Sequence, residues 1–250
     1  MKSANISKSA VRNSPRREKD ASSLRIGGFE PFSTVDYPGR LAAVIFCQGC
    51  PLRCSYCHNP DLIPARAAEL LSFEYVLSVI DRRKGLLDAV VFSGGEPLAQ
   101  AALIPAMAAM RRGGFEIGLH TAGTNPELFE EALPLVDWVG FDVKAPFHDY
   151  RGVTGADAGA KARASLEALV NSGTPYEVRT TVWPERIGKP EICVMASTLQ
   201  KMGVRHYVLQ EARTPDRKPC PGGETLKDVV IVSETAAMFE KFEVRYASNV

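Results

Sequence analysis

Six short apolar runs, spaced along one chain and separated by helical stretches, constrain this fold more than any other feature. They are Ala42–Phe46, Ala89–Phe92, Phe115–Leu119, Trp138–Phe141, Tyr176–Val182 and His206–Leu209, and Phe242–Tyr246 offers a seventh. Runs of four to seven apolar residues bounded by polar or glycine-rich segments read as buried strands. The intervening segments read as helices. Ser72 caps one that runs to Arg83, Pro126 takes the first position of another after Thr124 and Asn125, and Ala158–Val170 and Glu191–Lys201 follow. Ser233 is the expected cap of a last helix ending at Lys241. Strand–helix alternation over the whole chain predicts parallel βα units. Six units are too few for a closed eight-stranded barrel, so the expected fold is α/β, a partial (β/α)6 barrel.

In such an architecture the loops after the strands open on one rim, where active sites form. Cys50-Pro-Leu-Arg-Cys54-Ser-Tyr56-Cys57-His58 follows the first strand, Ser93-Gly94-Gly95-Glu96-Pro97 the second and His120-Thr-Ala-Gly the third. Asp142-Val143-Lys144 ends the fourth strand and Gln210-Glu211 the sixth. The cysteine run is the most specific of these. Three thiolates on one short loop can take three corners of a cubane iron–sulfur cluster and leave its fourth iron open for a substrate or cofactor. Two other readings compete, structural zinc with His58 as a further ligand and ordinary buried thiols. Adjacent Cys57 and His58 point in different directions, whereas structural zinc uses separated ligand pairs. Pro51, Arg53 and Ser55 do not suit a core strand.

The other motifs can each carry part of a cofactor site. Gly94-Gly95 allows close backbone approach, and Glu96 offers a carboxylate to an ammonium group, although a tight turn with a solvated Glu fits as well. Asp142 and Lys144 have the alternation of a strand and share one side, with Val143 turned away. They form either an ion pair or a grip on hydroxyl and carboxylate groups. His148, Tyr150 and Arg151 read as surface residues, His206 and Cys193 as packing, and Cys220 as a turn thiol.

Residues 1 to about 24 are rich in Lys, Arg and Ser and predict a disordered basic extension ahead of a domain over 25–250. The net charge of +1 makes no electrostatic case for nucleic acid as a partner. The longest apolar stretch, Leu41–Cys47, is too short for a membrane span, and no signal peptide is visible. Six cysteines, four of them within residues 47–57, read as cytoplasmic metal chemistry rather than a disulfide framework.

Cys50-x3-Cys54-x2-Cys57 with Tyr56 before the last cysteine resembles the signature of the radical S-adenosylmethionine superfamily. F-C-Q-G-C-P-L-R-C-S-Y-C-H-N-P, preceded by Thr34-Val35-Asp36-Tyr37-Pro38-Gly39, resembles the glycyl-radical-enzyme activases. V-V-F-S-G-G-E-P, G-L-H-T-A-G, D-W-V-G-F-D-V-K-A-P and E-V-R-T-T-V resemble in particular the activating proteins of anaerobic ribonucleoside-triphosphate reductase. The resemblance implies an oxidoreductase with one [4Fe-4S] cluster on Cys50, Cys54 and Cys57. S-adenosyl-L-methionine would chelate the fourth iron and be cleaved to a 5′-deoxyadenosyl radical, which takes a hydrogen from a glycine of the partner. Carried over by motif, Gly94, Gly95 and Glu96 would hold the methionyl end. Tyr56, Cys57 and His58 would line the adenine side, with Gln210 at the sixth strand end. Asp142, Val143, Lys144 and Ala145 would contact the ribose and carboxylate, and Asp36 would meet the partner's glycine loop. A low-potential donor such as flavodoxin or ferredoxin is implied. Pyruvate formate-lyase activases are similar too, but carry Asp where His120 stands, in a site tied to a monovalent cation, and His near Gln210-Glu211-Ala212. Alternatives are activation of another glycyl-radical enzyme, or a non-catalytic iron–sulfur or zinc protein.

Overall fold

A computed structural model describes residues 20–183, 185–213, 226–227 and 229–246. Its eight strands form one sheet in chain order: β1 (Ile26–Ser33), β2 (Ala42–Cys47), β3 (Ala89–Gly94), β4 (Glu116–Thr121), β5 (Trp138–Asp142), β6 (Tyr176–Val182), β7 (His206–Glu211) and β8 (Lys241–Arg245). Each of β2 to β8 runs parallel to its neighbour, and β1 lies antiparallel on β2. β1 and β8 are the two edges, so the sheet is open, as a partial barrel requires. The six expected strands are β2–β7, and the seventh is β8. β1 was not legible in advance, because Gly27, Gly28 and Pro31 interrupt its apolar pattern.

The helices are α1 (Phe73–Asp81), α2 (Leu103–Arg112), α3 (Pro126–Ala132), α4 (Tyr150–Thr154), α5 (Gly159–Ser172), α6 (Lys189–Lys201) and α7 (Val229–Ala236). Ser72 caps α1, its Oγ accepting from the Tyr75 amide at 3.1 Å. Phe73, Val76, Val79 and Ile80 then bury one face at helical spacing. Asn125 caps α3 in the same way, with Pro126 at the first position. Helix α2 buries Leu103, Ala106, Met107 and Met110, a three–four pattern that small residues dilute in the sequence. The last helix differs from expectation. Ser233 lies inside α7 rather than at its cap, and Lys241 opens β8. No helix among the described residues is long and apolar enough to cross a membrane.

Residues 20–24, which composition places in the extension, are folded. Asp20 caps a short 3-10 turn at Ala21–Ser23, and Ala21 and Leu24 are buried. Burying a leucine contributes about 1.5–3 kcal/mol, enough to anchor this turn. Residues 1–19 and Cys220 lie outside the described residues.

The two faces of the sheet differ in chemistry. Ala43, Ile45 and Cys47 of β2, with Val90 and Phe92 of β3, pack under the helices in the main core. The alternate residues Ala42, Val44, Ala89, Val91 and Trp138 form a smaller apolar cluster with Tyr37 on the opposite face. Both faces are therefore covered at β2 and β3, which is why those strands read as continuous apolar runs. From β4 onward the second face turns polar, and it carries the site.

Candidate cofactor site

Cys50, Cys54 and Cys57 sit on a loop whose backbone is held on two sides. The Gly49 and Cys50 amides donate to the carbonyls of Leu62 and Ile63 at 2.8 and 3.0 Å, and the Arg53 amide donates to Thr154 at the end of α4 at 2.7 Å. Two buried glutamines brace it. Gln48 Nε2 donates to the Asp61 and Pro64 carbonyls, and Gln100 Nε2 donates to the Arg25 and Gln48 carbonyls. All three thiols are half-buried. Burial pushes Cys50 up to about 12 and raises Cys54, so these thiols stay protonated until a metal displaces the proton.

Among the described residues no three His, Cys, Asp or Glu side chains converge on one ion position. A tetrahedral zinc needs such convergence, whereas a cubane takes each thiolate on a separate iron. His58 also turns away from the zinc reading, since its Nε2 lies 2.9 Å from the Arg213 carbonyl beyond β7. The donor set thus fits a cluster. Tyr56 is buried against Trp183 at 6.2 Å between ring centroids, and among the described residues its hydroxyl has no partner. A buried orphan donor costs about 1–3 kcal/mol, and it is the kind of group a bound ligand satisfies.

Gly94 and Gly95 bring β3 against the cysteine loop. Gly94 has φ of +105°, and a Cβ there would lie 2.5 Å from the Cys47 nitrogen. A Cβ on Gly95 would lie 2.6 Å from the Gly49 carbonyl oxygen. The Gly95 and Glu96 amides donate to the Cys47 and Gly49 carbonyls at 2.9 and 3.0 Å, which welds the two motifs. The Glu96 carboxylate, expected to meet an ammonium group, is engaged within the protein. It points inward and is almost fully buried. Oε1 accepts from Thr121 Oγ1 at 2.6 Å and the Leu98 amide at 3.1 Å, and Oε2 accepts from the Ala122 amide at 2.9 Å. Burial raises this carboxyl while the three hydrogen bonds oppose the rise.

Glu96 therefore fastens the end of β3 to the end of β4. Glu96→Ala is expected to lower stability by about 3 kcal/mol or more by orphaning three donors. Thermal denaturation should show a drop of about 10 °C, while Glu96→Gln, which keeps the Thr121 bond, should lose less. An unchanged melting point in the alanine variant would return Glu96 to the ligand side.

Asp142 and Lys144 share the polar face, as their alternation predicts. Lys144 Nζ lies 2.9 Å from Asp142 Oδ2, and Arg179 Nε lies 2.8 Å from Asp142 Oδ1. Burial works against the Asp142 carboxylate, but Arg179 and Lys144 outweigh it and hold the group well below the usual carboxylate range. Burial likewise works against the Lys144 ammonium, and Asp142 outweighs it and keeps the group charged. Val143 and Ala145 are buried in the main core on the other side, so their expected ligand contact is not through side chains. Tyr150, expected on the surface, is also core, and its hydroxyl accepts from the Lys144 amide at 3.1 Å. Cys193, expected to pack, is exposed on α6.

Arg179 opens a ladder that the motifs did not announce. Glu177 lies beyond it at 3.8 Å from Arg179 Nη1, Arg245 grips both Glu177 oxygens at 2.8 Å, and Glu243 accepts from Arg245 at 2.9 Å. His206, expected only to pack, faces Glu243 at 3.1 Å. The signal was present in Glu177 and Arg179, charged residues two apart in an otherwise buried strand. Gln210 is part of the same face, its Nε2 donating to Thr181 Oγ1 at 2.7 Å.

His120 sits between the apolar and charged halves. Its Nε2 lies 2.8 Å from the Asp36 carbonyl and its Nδ1 lies 3.4 Å from Ser93 Oγ. Burial, reinforced by Arg179, pulls His120 down to about 3, so the imidazole is neutral at ordinary pH.

A half-buried trio of thiols, a glycine turn and a carboxylate–ammonium pair at neighbouring ends of parallel strands define a cofactor-dependent α/β enzyme. The comparisons with known proteins specify the class. The profile of the Radical SAM superfamily matches residues 44–187, more than half of the chain, and the protein belongs to that superfamily. A putative glycyl-radical enzyme activating enzyme of Methanocaldococcus jannaschii is 31% identical over 76% of this chain and 81% of its own. A pyruvate formate-lyase-activating enzyme of Clostridium pasteurianum is 36% identical over 64% of this chain and 69% of its own. Among solved structures, SuiB of Streptococcus suis bound to precursor peptide SuiA superposes with a TM-score of 0.63 at 10% identity. That likeness covers 81% of this chain and 48% of the other, and it shows the fold. As a radical SAM enzyme the protein is of oxidoreductase type and works with a [4Fe-4S] cluster and S-adenosylmethionine.

Proposed function

We propose that this protein is an activating enzyme that installs a glycyl radical on a partner enzyme, and that the partner is of the pyruvate formate-lyase type. The observation that carries the reading is the position of Lys144. Its ammonium is held 2.9 Å from Asp142 at the end of β5, and its charge favours the ionised forms of Cys50, Cys54, Tyr56 and Glu96, which ties it to the cysteine loop and the glycine turn. An iron–sulfur electron carrier or a zinc scaffold has no use for that convergence. The sequence phrases favoured anaerobic ribonucleotide reductase as the partner. The named relatives weigh instead toward pyruvate formate-lyase.

In this reading Cys50, Cys54 and Cys57 hold three irons, and the Gly94-Gly95 backbone meets the methionyl end of S-adenosylmethionine. Lys144, steered by Asp142 and Arg179, takes its carboxylate, and the Tyr56 hydroxyl and Gln210 meet its nucleoside. When bound, the cluster and S-adenosylmethionine supply a one-electron reductive cleavage that releases methionine and, after hydrogen-atom removal from a glycine Cα, 5′-deoxyadenosine. The protein aims that chemistry at one glycine and excludes other hydrogen donors. A low-potential donor such as flavodoxin or ferredoxin would deliver the electron. Cysteines free of disulfides among the described residues suit the reducing cytoplasm.

Anaerobic reconstitution should yield a brown protein with about four irons per chain. Reduced and supplied with S-adenosylmethionine, it should give a glycyl electron paramagnetic resonance signal on pyruvate formate-lyase. Activation of anaerobic ribonucleoside-triphosphate reductase alone would reverse the partner assignment. Cofactor cleavage without a radical on either enzyme would sink the activase reading.

A further inference from the structure

The loop between β1 and β2 is held to the sheet by two side chains from β4, Glu116, which accepts from Arg40 Nε at 2.9 Å, and His120, which alone reaches the Asp36 main chain. Asp36 and His120 are 84 residues apart, yet His120 Nε2 and the Asp36 carbonyl oxygen are separated by 2.8 Å. A carbonyl only accepts, so the ring proton is on Nε2. Nδ1 is then the bare nitrogen, facing the Ser93 hydroxyl at 3.4 Å, one residue before Gly94. The neutral ring therefore links the glycine turn to the 34–38 loop.

Three further features hold the same arrangement. The His120 ring meets Trp138 edge-on at 5.5 Å, and Trp138 packs on Tyr37, next to Asp36, at 5.4 Å. Gly118 makes room for Tyr37, whose ring lies 3.0 Å from where a Cβ would stand. The Asp36 carboxylate is not drawn into the ion-pair ladder. It accepts from Ser33 Oγ within its own loop and remains half-buried beside the strand ends. Val35 beside it is strongly exposed.

We propose that His120 is a positioning residue that holds the Asp36 loop against the sheet so that Asp36 and Val35 present a fixed seat to the partner's glycine-bearing segment. This rests on the activase reading. Peptide recognition needs a rigid surface, since ordering a loop at the moment of binding lowers affinity. Main-chain anchorage by a neutral donor supplies that rigidity while leaving the Asp36 side chain available. His120 itself touches neither cofactor nor substrate in this proposal.

The test compares His120→Leu, which removes the donor, with His120→Gln, whose amide nitrogen reaches about as far as Nε2. Hydrogen exchange of the 33–40 amides is measured first and needs no partner. It should quicken about tenfold in His120→Leu, the loss expected of one buried hydrogen bond, and recover in His120→Gln. The reconstituted variants are then assayed on whichever glycyl-radical enzyme the wild type activates. The KM for that enzyme should rise about tenfold in His120→Leu, with recovery in His120→Gln. Cleavage of S-adenosylmethionine without partner should be unchanged in both.

Unaltered exchange and an unaltered KM in His120→Leu would overturn the proposal. So would a fall in partner-free cleavage equal to the fall in activation, because His120 would then serve the cofactor. If the wild type activates no glycyl-radical enzyme while exchange responds as expected, the activase reading fails and the loop anchorage stands.

Discussion

Single replacement of Cys50, Cys54 or Cys57 by Ala is expected to abolish cluster assembly and, with it, all cleavage of S-adenosylmethionine. The effect is all-or-none because a cubane left with two protein thiolates has two irons open to water and oxidants. None of the other described cysteines can take over. Cys47 is fully buried in the main core at the end of β2, with its thiol pushed up to about 12 by burial and by the Glu96 charge, and Cys193 is out on α6. Cys47→Ala should keep its cluster and lose only packing, about 1–2 kcal/mol. Iron analysis and the visible absorption of the reconstituted proteins decide the matter. A colourless Cys47→Ala protein, or a brown Cys54→Ala protein, would contradict the assignment.

Arg179→Met should produce the second large effect, on stability and cofactor use together. Arg179 is nearly buried and supplies one of the two cations that hold Asp142. Its loss leaves a buried carboxylate under-compensated, at a cost of about 3 kcal/mol. For a chain of this length that is roughly 6–12 °C in melting temperature. The pH dependence carries the diagnostic sign. Asp142 has a folded pKa below its unfolded value, so the folded protein binds fewer protons near the ordinary carboxylate pKa of about 3.9. Its stabilisation is present above that pH and is lost as pH falls through the depressed value. In Arg179→Met the acid limb should move upward toward pH ~4. Partner-free cleavage should fall about tenfold or more, because Lys144 would be steered by a less well-held Asp142. Equal acid limbs in variant and wild type would show that Asp142 does not depend on Arg179.

Much of the fold was legible because β2 and β3 are covered on both faces and spell themselves as apolar runs, while β4 to β7 keep buried apolar residues on the core face. β1 was not, since an edge strand with two glycines and a proline carries little of that signal. The last helix was displaced because an apolar run, Val229–Val232, can open a helix as well as a strand, and only packing decides. Within the site, the cysteines and the Asp142–Lys144 pair were readable from spacing. Glu177 and Arg179 showed only as two charges in a buried strand, because their partners Arg245 and Asp142 lie 68 and 37 residues away on β8 and β5.

The succession of parallel strands, the cysteine loop and the likeness to radical SAM activases are all legible in the chain before it folds. These follow from local spacing and periodicity, which a linear chain records directly. That Glu96 braces β4, that His58 reaches the Arg213 carbonyl, and that His120 holds Asp36 emerges only when the strands are assembled. Each depends on which buried donors and acceptors meet across distant strand ends, and burial makes such pairing obligatory without writing the partner's position into the neighbouring sequence.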